Sequence, residues 1–265
     1  VVCIALPGCK KKSEEALSVA RNYTLIQDDD GIWVEKFDST ITDEDRYNHN
    51  NVIYKVGRSF RYTYQYIDAN GVERKFIDYG ESWEFSTPDD ASAVQDVTIS
   101  VLNGLEPMIN NNPDYNQTVL RYEYTNGNWS SSSGAIENEK NVWIHPPRDN
   151  LFRVLEFNPF PYIQTPYEKG NSWKWDLTIG SGWGDERWKI FEGSIHNAYD
   201  YTIADVVNKP TPLGELTCYK IESTATSRIG STYLEAYFNE SFGFVTLDYT
   251  NIDGSKLLME LIEVK

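Results

Sequence analysis

Apolar and polar side chains alternate through most of the chain from Val52 onward. Phe60, Tyr62, Tyr64 and Tyr66 fall on one face, and Arg61, Thr63 and Gln65 on the other. A period of two is that of a β-strand with one buried face. Asp68-Ala69-Asn70-Gly71 then turns the chain and Val72–Trp83 returns, which is a hairpin signal. The signal recurs at Thr125-Asn126-Gly127-Asn128, after Val119–Tyr124, and at Asn251-Ile252-Asp253-Gly254, between Phe244–Tyr249 and Lys256–Val264. Trp173–Ile179 alternates cleanly; Tyr199–Val206 and Thr232–Phe238 do so less strictly. The pattern predicts a mainly β protein, an antiparallel and curved sheet or open barrel.

One segment breaks this period. Thr87-Pro88-Asp89-Asp90 has the make-up of a helix start, with a capping hydroxyl, a proline at the first position and acids against the dipole. Val94, Val97, Val101, Leu105 and Met108 or Ile109 then recur at helical spacing. The expectation is one helix over about 88–110, packed on a face of the sheet. Asn158-Pro159-Phe160-Pro161, with Gln164-Thr165-Pro166 beyond it, marks an internal boundary. It divides an N-terminal β region, 51–160, from a C-terminal one, 161–265. Residues 10–50 are polar and acidic and read as a tether that is ordered late or in part; within it, Ser13 and the two following glutamates can start a short helix through Ala16–Ala20.

The first residues carry a different message. Apolar Val1–Ala5 leads into Leu6-Pro7-Gly8-Cys9 and then Lys10-Lys11-Lys12. This is the layout at the end of a bacterial lipoprotein signal peptide, with Pro7 departing from the usual small residue. Residues 1–9 are therefore set apart from the fold. Cys9 becomes the acylated N-terminus, and the partner it implies is a membrane, gripped at about 0.8 kcal/mol per buried methylene. The address that follows is the bacterial cell envelope, lipid-anchored, at the outer membrane. No other stretch approaches the roughly 18 apolar residues of a membrane-spanning helix.

Charge narrows the partners of the folded part. Forty acidic residues against 24 basic ones give a net −16, which repels phosphate backbones and argues against nucleic acid. Three cysteines are present. With Cys3 lost alongside the signal and Cys9 acylated, Cys218 stands alone in an alternating strand and reads as a buried, inert thiol. Paired-cysteine zinc sites are excluded.

Candidate chemistry is sparse, and no catalytic residue, metal or cofactor is assigned. Only His49, His145 and His196 are available as bases, and no Gly-x-Ser-x-Gly elbow occurs. His145 and Arg148, held in an extended Pro-Pro segment, form either an anion site or a plain edge connection. Asn251, Asp253, Gly254 and Glu260 match part of a calcium loop, but Tyr249 stands at its first position, which favours a hairpin turn. Asp185 and Glu186 beside Trp183 and Trp188 follow a Gly-Ser-Gly-Trp-Gly loop. That loop can stack a sugar, pin a peptide, or fold back as a hairpin tip. Trp173 and Trp175 share a face with Leu177 and Ile179 and read as core. The stripe Tyr62, Tyr64 and Tyr66 carries hydroxyls, which suit a partly wet groove on the concave side of a curved sheet, a place for a lipid-like or amphipathic ligand.

Three motifs in the last third resemble those of exported TapB-like β proteins. Pro166–Trp173 is similar to their P-x-x-x-G-x-x-W opening, Gly214–Ile221 to their G-x-[FL]-x-C-[YF]-K-[VI] strand, and Tyr237–Val245 to a Y-[FY]-x-x-x-x-G-[FL]-V strand. The whole resembles an uncharacterised lipoprotein of Bacteroidota-type bacteria. The resemblance implies an exported β protein of unassigned activity, with a curved sheet like that of LolA-type carriers. It transfers no catalytic residues, since Gly170 and Gly243 serve the backbone. Together these readings favour a non-enzymatic binding or structural module for an amphipathic ligand. The alternative is a carbohydrate-associated binding protein or a glycan-processing enzyme using Trp183 and Asp185.

Overall fold

The computed structural model describes residues 23–38, 43–80, 82–105 and 115–265. Residues 1–22, including Cys9 and the Ala16–Ala20 segment, lie outside the described residues. The strands in chain order are β1 (Tyr23–Gln27), β2 (Trp33–Phe37), β3 (Ser59–Ile67), β4 (Glu73–Asp78), β5 (Trp83–Ser86), β6 (Asp96–Val101), β7 (Thr118–Tyr124) and β8 (Ser130–Glu137). They continue with β9 (Asn141–Ile144), β10 (Tyr162–Gln164), β11 (Ser172–Gly180), β12 (Ser194–Thr211), β13 (Gly214–Ser227), β14 (Gly230–Asn239), β15 (Gly243–Thr250) and β16 (Lys256–Val264).

Fourteen strands form one antiparallel sheet in the order β10-β9-β8-β7-β6-β3-β16-β15-β14-β13-β12-β11, with β4 and β5 attached beside β3. The sheet curls until its two ends meet through side chains. The Tyr162 ring on β10 lies 5.7 Å from Trp173 on β11, and Trp143 on β9 lies 6.0 Å from Trp175. The result is a nearly closed barrel. Strand β3 pairs with β16 at one edge and β6 at the other, so the N- and C-terminal β regions share one sheet and one core.

The core explains the sequence around Asn158. A 3₁₀ helix, Asn150–Phe157, and the segment Asn158–Pro161 behind it run through the barrel interior; Leu151, Phe152, Leu155, Phe157 and Phe160 are fully buried. The Phe152 ring meets Tyr64, Phe76 and Tyr124 at 5.4, 4.8 and 5.4 Å. Pro161 O accepts from Ile144 N–H of β9 at 3.0 Å, and buried side chains satisfy other carbonyls of the plug. Phe157 O accepts from Asn197 Nδ2 (3.0 Å) and Thr232 Oγ1 (2.8 Å), Phe160 O accepts from the Tyr201 hydroxyl (3.1 Å), and Asn158 Nδ2 donates to Thr250 O (3.3 Å). What composition marks as a boundary between two regions is the element that joins them.

A helix does pack on the sheet, but not over 88–110. Asp90 N–H donates to Thr87 O at 3.2 Å, closing a turn that the Asp90 carboxylate braces by accepting from the hydroxyls of Ser86 and Ser92. Asp96–Val101 is then a central strand paired with both β3 and β7. Val97, Ile99 and Val101 also fit a period of two, and β-branched residues flanked by two hydrogen-bonding neighbours settle into the strand. Residues 106–110 of the expected helix lie outside the described residues. The acidic segment is likewise more ordered than a tether from Tyr23 onward: β1 and β2 form a hairpin, and Trp33 N–H donates to Asn141 Oδ1 at 3.0 Å to dock it on the barrel.

Several local readings hold. Trp173 and Trp175 are buried and stack on Tyr201 and Tyr199 at interplanar angles of 6° and 16°. Cys218 is buried, and burial pushes its thiol up. Asn251–Gly254 is a hairpin turn, with Asn251 N–H donating to Ser255 O at 2.8 Å. Gly243 sits at φ +75°, where an added Cβ would come within 2.9 Å of the Tyr54 hydroxyl and 3.0 Å of Ile53. Glu137 fixes that same corner: its carboxylate accepts from the N–H groups of Val52, Ile53 and Tyr54 at 2.6, 2.8 and 2.8 Å.

Candidate functional site

Among the described residues, the tyrosine stripe faces packed side chains and not a groove. Tyr62, Tyr64 and Tyr66 are all buried. The Tyr62 hydroxyl donates to Phe244 O at 2.7 Å; that of Tyr64 donates to Val94 O at 3.0 Å and accepts from Phe76 N–H at 2.8 Å. The Tyr62 and Tyr64 hydroxyls, which suggested contact with water, are spent on buried backbone. The concave face of the sheet is filled, which removes the expected place for a lipid-like ligand.

Open space lies instead at one mouth of the barrel, where the plug enters. A cleft of about 490 Å³ is lined by Trp129, Arg148, Asp149, Asn150, Arg153 and Trp183. A second, of about 720 Å³, is lined among others by Trp83, Glu84, Asn150, Asp185, Glu186, Arg187 and Ile190. Asn150 belongs to both, so the two adjoin. Three elements build the first cleft. Trp129 stands at the tip of the β7–β8 hairpin, 52 % exposed, with its indole N–H donating to Gly80 O at 2.8 Å. Arg148–Asn150 lie in the connection from β9 to the plug helix, which carries Arg153. Trp183 ends the short 3₁₀ turn after β11.

The electrostatics of this cleft differ from those of the chain. Asp149 is committed: its carboxylate accepts from the Tyr124 hydroxyl at 2.7 Å and from that of Ser131. The Arg153 guanidinium lies 5.3 Å over the Trp183 ring and donates through Nη2 to Gly182 O. Its Nε is buried with no hydrogen-bond partner among the described residues. Arg148 likewise has neither a hydrogen bond nor an ion pair among the described residues. Beneath the mouth, His145 and Glu156 form a buried pair with Nε2 and Oε2 3.4 Å apart. Burial, helped by the Arg148 charge, pushes His145 down to about 3; burial pushes Glu156 up to about 7 against the pull of both arginines. His145 Nδ1 lies 2.7 Å from Pro146 O, so the neutral ring donates there and keeps Nε2 as an acceptor.

No protein-family model matches the chain, and no curated protein is similar to it in sequence. Solved structures give three distant likenesses. One is a proposed exported protein of Bacteroides fragilis with a YmcC-like fold, at 12 % identity and TM-score 0.40, covering 80 % of this chain and 96 % of its own. A proposed lipoprotein of Parabacteroides distasonis has 12 % identity and TM-score 0.43, over 80 % and 97 % of the two chains. The hypothetical lipoprotein YmcC of Escherichia coli has 10 % identity and TM-score 0.38, over 78 % and 85 %. At such identity no cleft residue carries over from them, and the TapB-like resemblance stands on its three motifs alone.

The residues singled out in the sequence scatter around this mouth. Trp183 lines the first cleft, as does Arg148. Asp185 and Glu186 line the second, but Asp185 is locked to Arg187, accepting from Nε at 2.8 Å and Nη2 at 2.7 Å, which holds its carboxyl below the usual range. Trp188 is only 8 % exposed and donates its indole N–H to Trp183 O at 3.2 Å, so it supports the loop instead of presenting a ring. His145 is buried beside Arg148 and does not line either cleft. Trp129 and Arg153 escaped sequence reading. Trp129 carried a usable signal, a large ring immediately after an Asn-Gly-Asn turn; Arg153, inside a run of apolar residues, carried none.

Proposed function

We infer that the chain is a lipid-anchored protein of the bacterial cell envelope, held at the outer membrane through acyl chains on Cys9, and that it is a non-enzymatic binding module. Its ligand is a carbohydrate taken at the barrel mouth. The observation that carries this reading is the placement of Trp129 and Trp183 on one open cleft while the barrel interior is packed with aromatic side chains. The Trp129 ring, held at its edge by Gly80 O, and the Trp183 ring, held against Arg153, offer apolar surface to the C–H side of a sugar at little conformational cost. Asp185, the carboxylate nearest to a catalytic role, is neutralised by Arg187, which supports binding over hydrolysis.

The test is intrinsic tryptophan fluorescence titrated with a panel of soluble oligosaccharides. Saturable change in the wild type, lost on Trp129→Ala/Trp183→Ala double substitution, is the expected result. A flat response across the panel, or binding that survives the double substitution, refutes the site. Labelling of cells with a palmitate analogue tests the anchor: label should vanish in Cys9→Ser, and label retained there would refute it.

A further inference from the structure

We propose that the carbohydrate bound at the mouth carries an anionic group, a carboxylate or a phosphate, which Arg148 and Arg153 take between the two tryptophans. This rests on the carbohydrate reading of the same cleft and specifies its chemistry. The chain has a net charge of −16, yet among the described residues the first cleft concentrates two arginines with a single carboxylate, Asp149, whose Oδ2 already serves Tyr124 and Ser131.

Arg187, in the adjoining cleft, shows what a satisfied arginine looks like here. It makes two bonds to Asp185 and a third, at 2.7 Å, to Trp83 O. Arg148 makes none among the described residues, and Arg153 has a buried Nε without an acceptor. A guanidinium presents a planar fork of donors that matches a carboxylate or phosphate in two parallel bonds. Donors held away from water and left unmade are costly until an acceptor arrives. The Trp183 ring under Arg153 fixes the plane of one fork in advance, by cation–π contact at 5.3 Å. The Arg153 Nε is buried, so an anion in the cleft meets that side chain through its terminal nitrogens and meets Arg148 as a fork with no other partner among the described residues.

The second cleft limits where the charge can sit. Glu84 and Glu186 line it, and its own cation is already paired. A polyanion running through both clefts would meet those carboxylates. The ligand therefore has its acid at the tryptophan end and uncharged rings along the rest.

Binding of the full chain in detergent, followed by calorimetry, tests this with matched probes: a maltotriose carrying a single terminal uronic acid against its methyl ester, maltotriose monophosphate against maltotriose, and inorganic phosphate alone. The anionic member of a pair should bind about tenfold tighter than its neutral partner, the size expected for a charge-assisted pair of hydrogen bonds. The ratio of anionic to neutral affinity should fall toward one in Arg148→Gln. Which pair shows it distinguishes carboxylate from phosphate. Near-UV circular dichroism checks that the variant is folded. If it is not, the salt dependence of the wild type decides, since affinity for the anionic probe should fall with ionic strength and that for the neutral one should not. Equal binding within both pairs overturns the inference and leaves the carbohydrate reading standing. No binding of any sugar overturns both, and phosphate binding as tightly as the phosphorylated sugar overturns the claim that the acid must be on a glycan.

Discussion

Replacing Phe152 with alanine should cost about 4 kcal/mol of stability, because this one ring ties the plug to four strands of the N-terminal β region. The side chain is fully buried and lies against Tyr64 of β3, Phe76 of β4, Tyr124 of β7 and Trp83 of β5, the last at 6.4 Å. Transfer of the ring out of water accounts for roughly 2–3 kcal/mol. The cavity it leaves adds to that, since four aromatic neighbours anchored in different strands cannot all collapse inward; large-to-small changes at such sites fall at about 3–5 kcal/mol. Phe152→Leu keeps most of the volume and should cost only about 1 kcal/mol. Tyr233→Ala, on a ring 51 % exposed on the barrel's outside, should cost under about 0.5 kcal/mol. Urea unfolding followed by far-UV circular dichroism and by tryptophan emission measures all three. A loss below about 1 kcal/mol in Phe152→Ala would refute the plug as a packed element. Two separate transitions, only one of them shifted, would refute a core shared by the two β regions.

Two further expectations follow from the interior. Glu156, raised from 4.5 to about 7 in the fold, contributes stability that is present below pH 4.5 and is lost as pH rises to about 7; His145, lowered from 6.5 to about 3, contributes stability present above pH 6.5 and lost as pH falls to about 3. Between pH 4.5 and 6.5 the two offset, so Glu156→Gln should unmask a rise in stability with pH there, the gap over wild type widening by about 1–3 kcal/mol toward pH 7; a gap that stays constant in urea titrations across that range would contradict the shift. Gly243→Ala must hold a positive φ and press its methyl against Tyr54 and Ile53, so it should lower stability by about 2 kcal/mol; an unchanged melting temperature would show that this corner gives way.

The sequence by itself determined the class and most of the strands. Period-two stripes such as Phe60–Tyr66 and Trp173–Ile179 state which side chains are buried, because a pleated strand sends neighbours to opposite faces. The Asn-Gly and Asp-Gly turns state where it reverses. Local signals failed where two periods coincide. Val94, Val97 and Val101 satisfy a helix, Val97, Ile99 and Val101 a strand, and only pairing with β3 and β7 on either side chose between them. The mouth was half legible: Trp183 and Arg148 stood out by type, while Arg153 was hidden in an apolar run.

Tertiary structure alone decided what those buried faces enclose. Asn158-Pro159-Phe160-Pro161 has the composition of a linker, yet it is the centre of the barrel. The Phe157 and Phe160 carbonyls beside and within it are satisfied by Asn197, Thr232 and Tyr201, residues 40 or more positions away that no local pattern connects to it. By filling the concave side, the plug turned a stripe of tyrosines from a prospective groove into core. It also moved the binding surface to the mouth, where the plug's own arginine meets a tryptophan from the far edge of the sheet.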